Sequence, residues 1–132
     1  MKKALPIIVI AVVVIVVGVV VYTMFFSAAE KPVVYDYYTP GDFFVTNVND
    51  SGRLFKSSIV LVLNSNKLQD ELKVKNTLIR DTILFILREK NEAFIKDLRG
   101  QDILRTDIAN ALNERLGIDN VVDILFNDYV MQ

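Results

Sequence analysis

Hydrophobic and polar positions divide this chain sharply in two. From Ile7 the run "IIVIAVVVIVVGVVVYTMFF" holds no charged residue, whereas beyond residue 27 short apolar stretches alternate with polar ones. From Leu5 to Phe26 the apolar segment is 22 residues long, enough as a helix to cross a hydrocarbon core of ~30 Å. Its many valines disfavour helix in water. In lipid the backbone must satisfy its own hydrogen bonds, and for a single segment only a helix does so. A membrane-spanning helix is therefore predicted over 5–26. The competing reading is a cleaved signal peptide, for which "SAA" at 27–29 offers small residues, but signal h-regions run only about 7–15 residues. Lys2 and Lys3 orient residues 1–4 to the cytoplasm. Tyr22, Phe25 and Phe26 then mark the outer interface, and the rest of the chain lies outside the cytoplasmic membrane.

The remainder reads as a linker over 27–42 and one domain over 43–132. "SAAEKPVVYDYYTPGD" contains two prolines and a Pro-Gly turn signal. Its tyrosines, Tyr35, Tyr37 and Tyr38, suit an edge strand, a partner contact, or packing on the domain or the headgroups. "FFVTNV" from Phe43 and "RLFKSSIVLVL" from Arg53 are β-rich runs separated by Asn49-Asp50-Ser51-Gly52, which predicts a hairpin. In the second run Phe55, Ile59, Leu61 and Leu63 share one face. "NSNKLQDELKVKN" predicts a short surface helix or ordered loop. A stronger helix is predicted over Thr77–Lys90, with Asn76 as its N-cap. Its apolar arc (Leu78, Ile79, Thr82, Ile83, Phe85, Ile86, Leu87) covers about 200°, wider than the ~100° stripe of an ordinary surface helix. Leu84 falls outside that arc, beside Arg80 and Arg88.

"NEAFIKDLRG" predicts one or two turns bearing Phe94, Ile95 and Leu98 and stopped near Gly100. "DILRTDIANALNERLG" predicts an amphipathic helix with Ile103, Leu104, Ile108, Ala111, Leu112 and Leu116 on one side, and Gly117 as a left-handed cap with Ile118 beyond it. The last run, "NVVDILFNDYVMQ", predicts a strand with Val122, Ile124, Phe126 and Val130 on its apolar face. The order strand, strand, helices, strand makes an α+β domain, with Phe55, Ile59, Leu61, Ile83, Ile108, Leu112, Ile124, Phe126 and Val130 as its core.

Composition narrows the chemistry. Setting aside Lys2 and Lys3 leaves 13 of the 15 basic residues against 16 acidic ones, which gives no electrostatic footprint for nucleic acid. The absence of cysteine and histidine removes thiolate chemistry, the commonest metal ligand and the commonest acid–base group near neutral pH. No phosphate-cradling glycine loop or nucleophile elbow occurs. Asp119, Asp123 and Asp128 lack the spacing of a calcium loop, and Arg80-Asp81 read as helix-surface charges. The expectation is a non-enzymatic domain with no cofactor, metal or small-molecule substrate, which binds or assembles. Leu84, rimmed by Arg80 and Arg88, is the candidate contact between subunits.

Four stretches carry a family resemblance: "FFVTNV" from Phe43, "LIRDTILFIL" from Leu78, "LRGQDILRTDIANALNERL" from Leu98 and the final "ILFNDYVMQ" from Ile124. In this order, behind a basic N-terminus and one span, the chain resembles the FliL family of flagellar basal-body-associated proteins. The final stretch is the most specific, since the family typically ends on an aromatic strand and a glutamine. The resemblance implies an extracytoplasmic domain of SPFH-like, or stomatin-like, fold. It also implies self-assembly around or beside the flagellar stator, with a supporting role in stator recruitment, stability and motility under load. The alternative from another class is an SPFH-like membrane scaffold or binding domain unconnected with flagella.

Overall fold

The structure, a computed structural model, describes residues 2–26 and 32–132. It divides into two units, residues 1–32 and 33–132. In the first, helix α1 (Leu5–Phe26) runs for 22 residues, or ~33 Å at 1.5 Å per residue. Pro6 sits in its first turn, where the missing N–H has no helical acceptor to lose. The helix is apolar all round and none of its side chains is buried by protein. Its threonine hydroxyl is satisfied within the helix, Thr23 Oγ1 donating to the Val20 carbonyl at 2.9 Å. Tyr22 stacks on Phe26 one turn later, with ring centroids 4.9 Å apart. The "SAA" stretch, with Glu30 and Lys31, lies outside the described residues.

The second unit is built on one long strand. β3 (Leu54–Leu63) pairs along its length with β4 (Val121–Met131), while its other side takes two short strands in turn. These are β1 (Asp36–Tyr38), opposite Leu61–Leu63, and β2 (Phe44–Asn47), opposite Leu54–Ser57. Every pairing is antiparallel. β2 and β3 form the hairpin, and Asp50 takes the left-handed φ of 57° that closes it, a conformation Asp tolerates. The linker reading over 27–42 therefore needs correcting, because Asp36–Tyr38 belongs to the sheet. Tyr38 turns inward and is buried. Its hydroxyl donates to Asn76 Oδ1 at 2.7 Å and to the Leu72 carbonyl at 3.2 Å.

β4 departs from a simple period of two. Its register against β3 shifts at Ser58/Ile59 and again at Val62/Leu63. Each shift inserts one extra residue, Asn127 and Val122 respectively, as β-bulges do. The residues facing the helices are consequently Val121, Ile124, Phe126, Tyr129 and Met131. Val122 and Val130, both predicted inward, are exposed, Val130 at 43%. Phe126 packs half-buried against the core, edge-on to Tyr129 at 5.3 Å, and Tyr129 is edge-on to Phe55 at 4.7 Å. Burial raises the pKa of Tyr129 above the ordinary tyrosine value.

The helices lie on one face of the sheet, with α3 (Asn76–Arg88) over β2 and α5 (Leu98–Leu116) over β4. α2 (Gln69–Val74) precedes α3, and α4 (Glu92–Lys96) precedes α5. Between sheet and helices Phe55, Ile59, Leu61, Ile83, Ile108, Leu112 and Ile124 are buried. Asn76 is not an N-cap. Lys75 holds that position without a side-chain bond, and Asn76 is drawn instead to Tyr38 and to the Pro40 carbonyl, 3.2 Å from its Nδ2. Nor does Gly100 stop a helix. It is buried in the first turn of α5, where a Cβ would run into the Phe94 carbonyl. On α5 Ala109 is buried, while Ile103 is exposed and Ala111 only half-buried. Gly117, at φ 67°, ends α5, and the N–H of Ile118 returns to the Asn113 carbonyl at 3.0 Å. The Asn113 side chain then bonds the N–H and carbonyl of Val121, at 3.0 and 2.9 Å, and sets the start of β4.

Candidate interaction surface

α3 carries most of the apolar side chains in question, and its burial follows from the helical period. Ile79, Thr82, Ile83 and Leu87 turn to the core. Leu78, Leu84 and Ile86 are half-buried against its margin. Phe85, placed in the apolar arc by sequence, is 67% exposed. At 100° per residue it lies about 120° from Ile79, outside the buried stripe. The ridge facing away from the core is thus Asp81, Leu84, Phe85 and Arg88.

Arg80 is not a free rim charge. Its Nη1 donates to the Pro40 carbonyl at 3.1 Å and its Nη2 to the Phe43 carbonyl at 3.0 Å. The guanidinium also lies 4.3 Å from the centroid of the Phe44 ring, a cation–π contact. Gly41, at φ 144°, lets the turn come this close, because a Cβ there would strike the guanidinium. Arg80 therefore clamps the Thr39–Asp42 turn onto α3. Asp81 pairs with Arg115 of α5 at 3.6 Å. Arg88 is exposed, with no carboxylate in ion-pair range among the described residues.

Asp81, Leu84, Phe85 and Arg88 form one wall of an open groove, and Val45, Thr46, Asn47 and Leu54 form the other. Phe85 also reaches the cleft between α3 and α5, beside Ile86 and Ala111. Val45 and Leu54 escaped the sequence reading because an alternating strand in a hairpin shows its outer face only once its pairing is known. The signal for Phe85 is the 200° arc, which exceeds what one sheet can cover, and the flank left exposed is Phe85 rather than Leu84. A second apolar patch lies on the sheet face opposite the helices, where Tyr35, Tyr37, Val122 and Leu125 surround Val62 and Asp123. Among the described residues no three His, Cys, Asp or Glu side chains converge in a metal-binding group.

The family model for the flagellar basal body-associated protein FliL matches residues 37–132, the whole sheet-and-helix unit from Tyr37 onward. The chain belongs to the FliL family. No curated protein matches it significantly. Membership places the protein with the flagellar basal body and with motility, and α1 fits a single-pass membrane protein in that setting. Of the residues singled out by sequence, Arg80, Leu84 and Arg88 share α3 in the FliL-matching unit. Lys2, Lys3, Tyr22, Phe25 and Phe26 belong to the anchor unit.

Proposed function

We propose that this FliL-family chain is a non-enzymatic accessory of the flagellar motor, which self-associates around or beside the stator and supports its recruitment, stability and torque. In this reading α1 is a permanent anchor. Lys2 and Lys3 face the cytoplasm, Tyr22, Phe25 and Phe26 sit at the outer interface, and the domain stands in the periplasm or extracytoplasmic space. The SPFH-like character implied by the resemblance belongs to the same proposal; helices on only one face of a small antiparallel sheet are compatible with it. The observation that carries the reading is Phe85. A large aromatic exposed beside Leu84, with Arg88 at its rim and no carboxylate against it among the described residues, has the anatomy of a contact anchor. Confinement of α1 to a membrane raises the effective concentration of subunits, so a modest contact suffices for assembly. The family match speaks against a scaffold unconnected with flagella.

The test is stator occupancy. In a flagellated host lacking this protein, fluorescently labelled stator units at the motor should fall in number under load and recover with the wild-type chain. Unchanged occupancy and unchanged swimming would remove the stator role.

A further inference from the structure

Edge strands expose outward main-chain groups that folded proteins usually cover, and along the β1–β2 edge several are covered by side chains or loops. Gln69 Nε2 donates to the Tyr37 carbonyl at 2.9 Å. Arg80 holds the carbonyls of Pro40 and Phe43, and the Asn49 N–H reaches the Lys90 carbonyl at 3.0 Å. Between these caps, the Val48 N–H bonds the Arg53 carbonyl at 3.0 Å and sets the alternation of the ladder, so that Phe44 and Thr46 bond β3. The N–H and carbonyl groups of Val45 and Asn47 therefore point out of the sheet. Among the described residues they have no hydrogen-bond partner. They open onto the groove walled by Leu84, Phe85 and Arg88.

We propose that this edge is a strand-addition site, filled by the extended segment Val33–Tyr35 of a second copy of this chain. The proposal rests on the self-association reading and names its contact. An edge of open main-chain groups beside an apolar helix wall selects an extended strand as its occupant. Val33, Val34 and Tyr35 are β-branched or aromatic strand formers, without secondary structure and exposed at 56–58%. The segment cannot reach the groove of its own subunit. It leads into Asp36, which pairs with Leu63, whereas Asn47 pairs with Leu54 nine residues away along β3, or ~30 Å. Three residues of extended chain cover only ~10 Å.

Charge supports the same occupant. Arg88 lines the groove without a carboxylate partner among the described residues, and the groove's acid, Asp81, is paired to Arg115. In sequence Asp36 follows the segment directly, while Glu30 and Lys31 ahead of it offset one another, and among the described residues the Asp36 carboxylate accepts from a neutral amide, Gln69 Nε2 at 2.8 Å. The opposite edge is a poorer acceptor, since two bulges break β4 and Asp123 Oδ1 takes the Ile124 N–H at 2.8 Å. Each copy donates one strand and receives one, a head-to-tail contact that closes into a ring when the rotation permits.

The cysteine-free chain allows a direct test in membranes carrying the full-length protein. Asn47→Cys is combined with Val33→Cys in one variant and with Tyr35→Cys in another, because parallel and antiparallel addition bring different residues opposite Asn47. On mild oxidation one of the two should yield a ladder extending past dimers, while each single-cysteine variant stops at dimers. If neither exceeds dimers although a lysine-reactive cross-linker still produces higher oligomers, strand addition is wrong and self-association stands. If the lysine-reactive cross-linker also leaves only monomers, both readings fall.

Discussion

The hydroxyl of Tyr38 donates to Oδ1 of Asn76 at 2.7 Å, joining the first strand of the sheet to the first turn of α3. One bond thus accounts for two departures from the sequence reading. It draws β1 into the domain, and it withdraws Asn76 from capping. Asn76 Nδ2 continues the network to the Pro40 carbonyl at 3.2 Å. Asn76→Ala should therefore remove the shorter of the phenol's two contacts, leaving it the Leu72 carbonyl, and loosen the Pro40 turn, at a cost of about 0.5–1.5 kcal/mol. Denaturant unfolding of the full-length protein in detergent measures it. Combined with Tyr38→Phe, the loss should be clearly less than additive, because both changes remove the same bond. Full additivity would show that the two residues act independently.

The same tyrosine makes stability sensitive to alkali. Burial raises the pKa of Tyr38, and that of Tyr129, above the ordinary 10.0. Above that value the unfolded chain releases these protons while the folded chain retains them, so stability falls as pH rises. The contribution is fully present below pH 10 and is lost as pH climbs through the raised folded values. Thermal midpoints should decline from about pH 10 upward, and less steeply in a Tyr38→Phe, Tyr129→Phe double variant. An identical slope in the double variant would assign the alkaline loss to other groups.

β4 yields a contrast between two residues that the alternating pattern placed on one face. The bulge at Asn127 sends Phe126 inward and Val130 outward. Phe126→Ala should lower the thermal midpoint sharply, although by less than the ~3–5 kcal/mol typical of a fully buried phenylalanine. Val130→Thr should stay within about 0.5 kcal/mol of wild type. Equal effects of the two changes would place both side chains in the same environment.

The anchor has its own readout. Leu5–Phe26 is longer than a typical signal core, so mass spectrometry of the membrane-extracted protein should find a chain starting at Met1 or Lys2. A mature start at Glu30 would show that α1 is removed.

What the pattern of residues revealed, and where it stopped, follows from the range of the forces involved. Phe55, Ile59, Leu61 and Leu63 alternate on a strand that pairs on both sides, so a local period of two sufficed to find their common face. Gly117 was legible because a left-handed cap is set by its immediate neighbours. Non-local events were not. No local rule places a bulge at Val122 or Asn127, since a bulge is a mismatch with a partner strand some sixty residues away. Gly100 is only six residues from Phe94, yet its role appears only when the turn between α4 and α5 brings the Phe94 carbonyl against it. At the candidate surface the excess apolar arc of α3 was visible, but which flank stays exposed depends on β2 and α5.

That distinction decides how the self-association reading is best challenged. Leu84 is half-buried and packs against the margin of the core, so Leu84→Asp perturbs folding and contact together. Phe85 is 67% exposed and lies outside the buried stripe. Phe85→Asp should leave the thermal midpoint nearly unchanged, as surface changes usually do. In membranes it should strongly reduce cross-linked oligomers, because it places a carboxylate at the apolar anchor of the proposed contact. Arg88→Ala should have a smaller effect, as expected of a rim charge screened by salt. In a flagellated host Phe85→Asp should slow swimming in viscous medium more than in thin medium, since the proposed support matters most under load. A variant that melts like wild type and still cross-links into higher oligomers would take Phe85 out of the interface.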